Sequence, residues 1–179
     1  YMVYLISSDV MHIKELIYLK REAQLGLWEY IHAHDSMIDE VRGNNYYSEP
    51  IAFELDDSDI KETIRPYAMG RIIDVAQFIS QYNCDPDGPG CFSFEIEDEL
   101  LPWNNGTFVI DFEKGHCALT DKKPQYHISM SIGTFTTLLL GYKSAEKLLQ
   151  MGKIQTTYDA VAKLDDILYH EIPYVSDYI

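Results

Sequence analysis

The stretch that most constrains the fold is residues 131–154, SIGTFTTLLLGYKSAEKLLQMGKI. Apolar residues recur at helical spacing through its first part, and Gly141 stands where a left-handed cap would end that helix. Ser144 is placed to cap a second helix, which carries its own apolar stripe and ends at Gly152. We therefore predict a helix, a cap and a second helix, with two apolar faces that need a sheet to cover.

The segments before these helices predict that sheet. Residues 92–96, 107–112, 116–120 and 126–131 have strand character, and turns at 101–106 and 114–115 arrange the first three as a meander. A last helix follows a capping sequence at 156–159, with an apolar stripe of Val161, Leu164, Ile167 and Leu168. We expect an α+β fold in which helices cover one face of an antiparallel sheet.

The N-terminal part has a different pattern. Residues 1–6 and 11–19 predict a hairpin, and a helix follows from Glu22 to about Ser36. Residues 37–69 give no firm assignment, 67–75 have strand character, and 75–82 predict a short helix. A domain boundary is expected near Pro66. Because the chain opens directly in an apolar run without a turn or cap, we expect a fragment of a longer protein.

The charge and the cysteine content limit which binding partners and which cellular compartment are expected. The 14 basic and 29 acidic residues give a formal charge of −15, which repels nucleic acid and anionic membranes and favours cationic small molecules. The same excess of carboxylates can simply keep a protein in solution. No leader and no membrane-spanning apolar run is visible, so we expect a cytoplasmic protein. The cysteines are Cys84, Cys91 and Cys117; the first two could meet across the loop between them, but free thiols are expected in a reducing compartment.

A strand followed directly by a helix, as at residues 13–37, is where acetyl-CoA-dependent acetyltransferases bind the pyrophosphate. That site needs a turn of the form Arg/Gln-x-x-Gly-x-Gly/Ala, so that backbone N–H groups can approach the phosphates. Residues 21–27 read REAQLGL. Gln24 and Gly26 keep a trace of the pattern, but Leu25 and Leu27 would crowd the phosphates and Glu22 has the wrong charge. We therefore expect no cofactor site in this chain.

Other polar residues give weaker signals. His32 and His34 would project about 200° apart on a helix, so we predict no metal site. The serines at residues 7–8 and 129–131 lack a nucleophile-elbow pattern, so serine hydrolysis has no support. Trp103 lies in a tight Asn-Gly hairpin, where packing over the edge is the usual role and ligand binding the alternative.

The last seven residues, PYVSDYI, have only Asp177 to solvate them and end with Tyr178 and Ile179. Because ordinary termini are polar and fray, we expect this tail to be docked. The carboxylate of Ile179 would then be a fixed anion able to accept a proton or hold an amine. Its ordinary pKa of about 3.3–3.7 makes it a poor base, so desolvation or a relaying water would have to help. The alternative is an apolar tail that packs only for stability.

Four segments together resemble the C-terminal half of the Eis-type GNAT acetyltransferases: residues 69–75 (MGRIIDV), 103–108 (WNNGTF), 138–154 (LLLGYKSAEKLLQMGKI) and 173–179. The resemblance runs along essentially the whole chain. It implies that residues 1–66 are the end of a degenerate central GNAT domain and that residues 67–179 form a sterol-carrier-protein-like domain. The working acetyl-CoA site would lie in an N-terminal GNAT domain of the same parent protein.

The resemblance also implies roles for the tail. The terminal carboxylate, here on Ile179, enters the active site of the N-terminal domain and helps to deprotonate the acceptor amine, with Tyr178 and Asp177 near that amine. Family tails often end in phenylalanine, so isoleucine alters the packing around the carboxylate. Acceptors would be aminoglycosides or lysine amines, acetyl-CoA the co-substrate, and a homo-oligomer the assembly. The fragment alone would be inactive.

Two other functions are compatible with the same residues. Phe135, Leu138, Leu139 and Leu148 could enclose a tunnel for an acyl chain or another apolar ligand, making the domain a binding module. Alternatively, the domain could serve only the assembly of an oligomer.

Overall fold

The computed structural model describes residues 1–45, 51–54, 60–64, 69–173 and 175. It divides the chain into two compact units, Tyr1–Arg65 and Pro66–Ile179. Within the described residues, no helix has the length and apolar character needed to span a membrane.

The first unit is a three-stranded sheet with helices. Its elements are β1 (Met2–Ser7), β2 (Val10–Leu16), α1 (Arg21–His32), β3 (Glu40–Gly43) and α2 (Ile51–Glu54). The predicted hairpin is confirmed: β1 and β2 pair antiparallel around Ser8 and Asp9, which both have positive φ. β3 pairs parallel to β2 and was missed by the sequence analysis, because its four residues are all exposed and show no alternation.

The described part of this unit buries few apolar side chains. Met11 and Ile31 are its only buried hydrophobic residues among those described. On β1, Val3 and Leu5 are instead 49% and 58% exposed. Since apolar burial is the main favourable term in folding, this part of the chain has little core of its own.

The second unit combines a five-stranded sheet with four helices among its described residues. These elements are α3 (Val75–Ile79), β4 (Gly90–Glu97), a 3-10 turn (Pro102–Asn104), β5 (Gly106–Glu113), β6 (His116–Leu119), β7 (Tyr126–Ser131), α4 (Ile132–Leu139), α5 (Ala145–Gln150), β8 (Ile154–Gln155) and α6 (Tyr158–Asp165). The strand order is β6-β5-β4-β7-β8. The α+β class expected from the sequence is confirmed.

The sheet is mixed rather than purely antiparallel. β4 and β7 pair parallel, while the other three pairs are antiparallel. The reason is topological: β6 and β7 run in the same direction, so residues 120–125 carry the chain back across the sheet. β8 was not predicted, because a two-residue strand has no period to detect.

Aromatic side chains form the centre of the core. Alternate residues of β4 face the helices, so Phe92 and Phe94 are both fully buried. The Phe94 ring lies 5.3 Å from the ring of Phe135 on α4, and the Phe92 ring lies 5.8 Å from that of Phe112 on β5. Both contacts are edge-to-face; the first joins the sheet to α4, and the second joins two strands within the sheet.

The predicted caps around α4 and α5 are confirmed. Ser144 Oγ accepts a hydrogen bond from the Lys147 amide at 3.2 Å, which satisfies a donor in the first turn of α5. Gly141 and Gly152 both have positive φ, as expected of residues that follow a helix end.

The strand predicted at residues 67–75 is wrong for the residues that the structure describes. Residues 69–74 form no strand. Ile72 is buried, and its amide donates to Thr136 Oγ1 on α4 at 3.2 Å instead of to a neighbouring strand. Ile72 therefore anchors an irregular segment to the helix, whereas Met69 and Ile73 are exposed.

A buried carboxylate, Asp98, holds this segment to the loop after β4. Its side chain is fully buried and accepts from Arg71 Nη2 at 2.5 Å and from Asn104 Nδ2 at 2.9 Å. Burial alone would raise the pKa of Asp98, but hydrogen bonds from Asn104, the Leu101 and Leu100 amides, and Arg71 lower it to about 2.

We expect Asp98→Asn to weaken the second unit in a pH-dependent way. Because the folded pKa of about 2 lies below the ordinary 3.8, the stabilisation is present above pH about 4 and is lost as the pH falls towards 2. The variant should lower the melting temperature by several degrees at neutral pH and flatten its decline between these pH values. Thermal denaturation across this range measures both effects. Asp121→Asn, at an exposed carboxylate, is the control, and an unchanged decline in the Asp98 variant would contradict the prediction.

Candidate functional site

The three residues predicted to act in catalysis and substrate binding, Asp177, Tyr178 and Ile179, lie outside the described residues. The structure does describe the segment that leads to them. We define residues 169–173 as the tail root; Val175 beyond it is also described. The geometry of the tail root fixes where the C-terminal tail leaves the second unit.

The tail root begins where the chain leaves the core. After α6, Ile167 and Leu168 are 0% and 4% exposed, and they anchor the chain under the helices. From Tyr169 onward every described residue is exposed, including the apolar Ile172 and Val175. The described part of the tail therefore starts from a buried anchor and is itself exposed.

On one side, the tail root lies against the glycine that ends α4. A Cβ atom built on Gly141 would stand 2.5 Å from the Glu171 carbonyl oxygen and 3.0 Å from the Tyr169 carbonyl oxygen. Any side chain at this position would have to displace backbone. The contact between Gly141 and the tail root is thus possible only for glycine.

The tail root is also bonded to the last residue of α6. The His170 imidazole Nε2 lies 2.8 Å from the Asp165 carbonyl oxygen. The Asp165 carboxylate accepts from the amides of Ala145 and Glu146 at 2.6 and 2.9 Å, so it caps the first turn of α5. The sequence analysis missed Asp165 because a cap supplied from another helix leaves no local spacing signal.

In the first unit, side chains at the start of α1, where a phosphate turn would lie, bond one another and Glu54. Gln24 is 7% exposed, and its Nε2 donates to Glu54 Oε2 at 2.7 Å and to Tyr18 Oη at 3.0 Å. Arg21 Nη1 bonds both Gln24 Oε1 and Glu54 Oε2, at 2.6 and 2.9 Å. Since the Glu54 carboxylate lies beside these side chains and would repel a phosphate, the described residues do not fit a pyrophosphate.

Of the remaining candidates, His34 and Trp103 have structural partners. His34 Nδ1 lies 2.8 Å from the Tyr30 carbonyl oxygen, and His32 is exposed. Trp103 is 60% exposed, but its indole N–H donates to the Ile73 carbonyl at 2.9 Å, which braces the hairpin. Within the described parts of the chain, no group of three or more metal-binding side chains occurs.

The cysteines are free thiols, and Cys84 lies near a partner that the sequence did not suggest. Its thiol donates a hydrogen bond to the His116 carbonyl oxygen at 3.5 Å and forms no disulfide with Cys91 across the intervening loop. Burial raises the pKa of the Cys84 thiol and that of the Cys117 thiol. They are consequently poor nucleophiles.

The outer face of the sheet carries one polar cluster that the sequence analysis missed. Ser129 Oγ donates to Glu95 Oε2 at 2.7 Å and lies 3.3 Å from His127 Nε2, while Ser93 Oγ lies 3.1 Å from His127 Nδ1. Alternation along β4 and β7 could have placed these residues on one face. The Ser129 hydroxyl donates its hydrogen bond to the carboxylate and not to the imidazole, and the strand amides are bonded within the sheet, so they cannot stabilise an oxyanion. The cluster therefore stabilises strand pairing rather than supporting acyl transfer.

Comparison with known families agrees with the two-part fold. Residues 75–176 match the family model for the sterol carrier protein domain, and residues 1–72 match that for the acetyltransferase (GNAT) domain. No curated protein matches the chain.

Several solved structures share the fold over nearly the whole chain. A conserved protein of unknown function from Enterococcus faecalis V583, described as a probable N-acyltransferase, superposes on 99% of this chain with a TM-score of 0.91 and 27% identity. A GCN5-related N-acetyltransferase from Anabaena variabilis superposes on 99% with a TM-score of 0.79 and 22% identity. Eis1 from Mycobacterium abscessus superposes on 97% with a TM-score of 0.74 and 18% identity.

The chain spans under half the length of these proteins: 46% of the first two and 45% of the third. Its fold is a GNAT-like acetyltransferase unit followed by a sterol-carrier-protein-like unit. Because the sterol carrier protein model covers more than half of the sequence, the chain belongs to the sterol carrier protein domain family.

Proposed function

We propose that this chain is the C-terminal part of a longer, Eis-type N-acetyltransferase that transfers an acetyl group from acetyl-CoA to a primary amine. Residues 1–66 would complete a degenerate central GNAT domain, and residues 67–179 would be the sterol-carrier-like domain. The chain would supply a scaffold and the Ile179 carboxylate to an active site in an N-terminal GNAT domain.

The observation that carries this proposal is the superposition on the Enterococcus faecalis protein. Nearly all of this chain matches 46% of that probable N-acyltransferase, so a parent of the same design would have about as much chain again outside this one. The small core of the first unit supports this, because Val3 and Leu5 are exposed on β1 where a larger domain would bury them.

The charge at the helix start in the first unit supports placing acetyl-CoA elsewhere. The Glu54 carboxylate bonds the Arg21 and Gln24 side chains there and would repel a phosphate. The acetyl donor would therefore bind the N-terminal domain, and this chain would contribute from outside that site.

The chemical contribution of this chain would be a single proton acceptor. An amine must lose its proton before it can attack a thioester, and the Ile179 carboxylate would accept that proton directly or through a water. Tyr178 and Asp177 would lie beside the amine, and Asp177 would attract its positive charge. The formal charge of −15 is compatible with cationic acceptors such as aminoglycosides or lysine side chains.

The test is acetyl-CoA turnover by the full-length parent with a panel of acceptors. We expect turnover with aminoglycosides or lysine amines, none with matched alcohols that lack the amine, and none by this chain alone. Turnover by residues 1–179 without the remainder of the parent would contradict the proposal that the active site lies in the N-terminal domain.

The alternative of an apolar-ligand carrier finds no support in the packing. Phe135, Leu138, Leu139 and Leu148 are at most 3% exposed and belong to one continuous core. Titration with a fluorescent lipid separates the two functions, because saturable binding would favour the carrier.

Two further properties belong to the proposal. We expect a cytoplasmic protein, since three cysteines that stay unpaired suit a reducing compartment. We also expect a homo-oligomer, which light scattering on the parent would measure.

A further inference from the structure

The two glycines that end α4 and α5 have the same local geometry. At Gly141 the amide donates to Leu138 O and the next amide, of Tyr142, donates to Thr137 O, at 3.0 and 3.1 Å. The corresponding bonds at Gly152 run to Leu149 O and Leu148 O, both at 2.9 Å. Both glycines have left-handed φ, +73° and +67°. Each helix thus ends in a Schellman motif, for which glycine is the usual residue.

The surroundings of the two glycines differ. No atom lies within 4 Å of a Cβ built on Gly152, whereas a Cβ on Gly141 would meet the backbone of Tyr169 and Glu171, as close as 2.5 Å. Helix termination explains glycine at both positions. Only at Gly141 is there a second requirement, which is to let the tail root approach.

The tail root is the point from which the last residues start. Seven residues follow Ile172, and a chain of that length reaches at most about 25 Å. Where the root is held therefore limits where a terminal carboxylate can lie. Because catalytic groups lose up to about 100-fold in rate when misplaced by about 1 Å, a change in the hold on the root is enough to affect such a carboxylate.

We propose that Gly141 is a positioning residue for the C-terminal tail: its missing side chain seats the tail root and so aims the Ile179 carboxylate. This inference rests on the proposed function of that carboxylate. The first part of the proposal, that Gly141 lets the tail root lie against the end of α4, does not depend on any catalytic activity.

The experiment compares Gly141→Ala with Gly152→Ala in the full-length parent. Both variants carry the cost of a non-glycine residue at positive φ, so Gly152→Ala should lower the melting temperature by a few degrees. Gly141→Ala should lower it further, because its Cβ also displaces the backbone of Tyr169 and Glu171. Only Gly141→Ala should speed chymotrypsin cleavage after Tyr169, by about tenfold or more, because a tail root released from Gly141 enters a protease site more readily. It should also lower kcat by at least about tenfold with an unchanged Kd for acetyl-CoA. Gly152→Ala should stay within about twofold of the wild type in both measurements.

Two results would overturn the inference. Equal cleavage after Tyr169 in the two variants would remove the seating role. Faster cleavage with unchanged kcat would remove the positioning role, and truncation of the tail would then decide separately whether Ile179 acts at all. If Gly141→Ala fails to fold, His170→Ala loosens the tail root from its other side, through the 2.8 Å contact with Asp165 O, and should give the same pattern.

Discussion

Phe94→Ala is expected to destabilise the second unit by about 3–5 kcal/mol, the usual cost of removing a fully buried aromatic ring. The Phe94 ring lies within 6.5 Å of the rings of Phe92, Phe112 and Phe135, and its side chain is 0% exposed. Because these neighbours belong to three different elements, none can move into the cavity without disturbing another. A loss of this size is a large share of the about 5–15 kcal/mol that stabilises a typical domain.

Urea denaturation of this chain measures the loss. The chain has two tryptophans, so in a Trp28→Phe background the fluorescence of Trp103 reports the second unit alone. Phe78→Ala is the matched control: Phe78 is half-buried and stacks on Tyr82 at 5.6 Å, so its loss should be about 1–2 kcal/mol. Equal losses for the two variants would contradict the central place given to Phe94.

The elements of the second unit could be predicted where a local signal was strong. Ser144 and Gly141 predicted the ends of α4 and α5, because capping depends on a few adjacent residues. The parallel pairing of β4 with β7 could not be predicted in this way. Strand direction depends on how the connection crosses the sheet, and no residue type encodes that choice.

Contacts between residues far apart in the sequence also could not be predicted from a sequence pattern. Glu54 bonds Gln24 across 30 positions, and Asp165 caps α5 from 19 and 20 positions away. The sequence showed that residues 21–27 were a poor phosphate turn, but not what satisfies their polar groups. In the same way, Gly141 was predicted as a helix cap, while its contact with the tail root required the fold.

Removing Tyr178 and Ile179 from the full-length parent is expected to lower kcat by about 100- to 10,000-fold, the range that general acid-base catalysis contributes. The truncated chain still ends in a carboxylate, but two residues earlier, which is about 7 Å along an extended chain. Since proton transfer requires hydrogen-bond distance, a carboxylate displaced this far cannot serve the same amine. Acetyl-CoA binding should be unchanged, because the proposed donor site lies in another domain.

Ile179→Val separates the carboxylate from the side chain. This variant keeps the terminal carboxylate at its place and removes only one methylene, so kcat should stay within about threefold of the wild type. One added glycine after Ile179 keeps every native side chain but moves the carboxylate by about 3.5 Å, so it should behave like the truncation. If the truncated parent turned over normally, Ile179 would have no catalytic role. If the added glycine were harmless while Ile179→Val were not, the terminal side chain rather than the carboxylate would be the acting group.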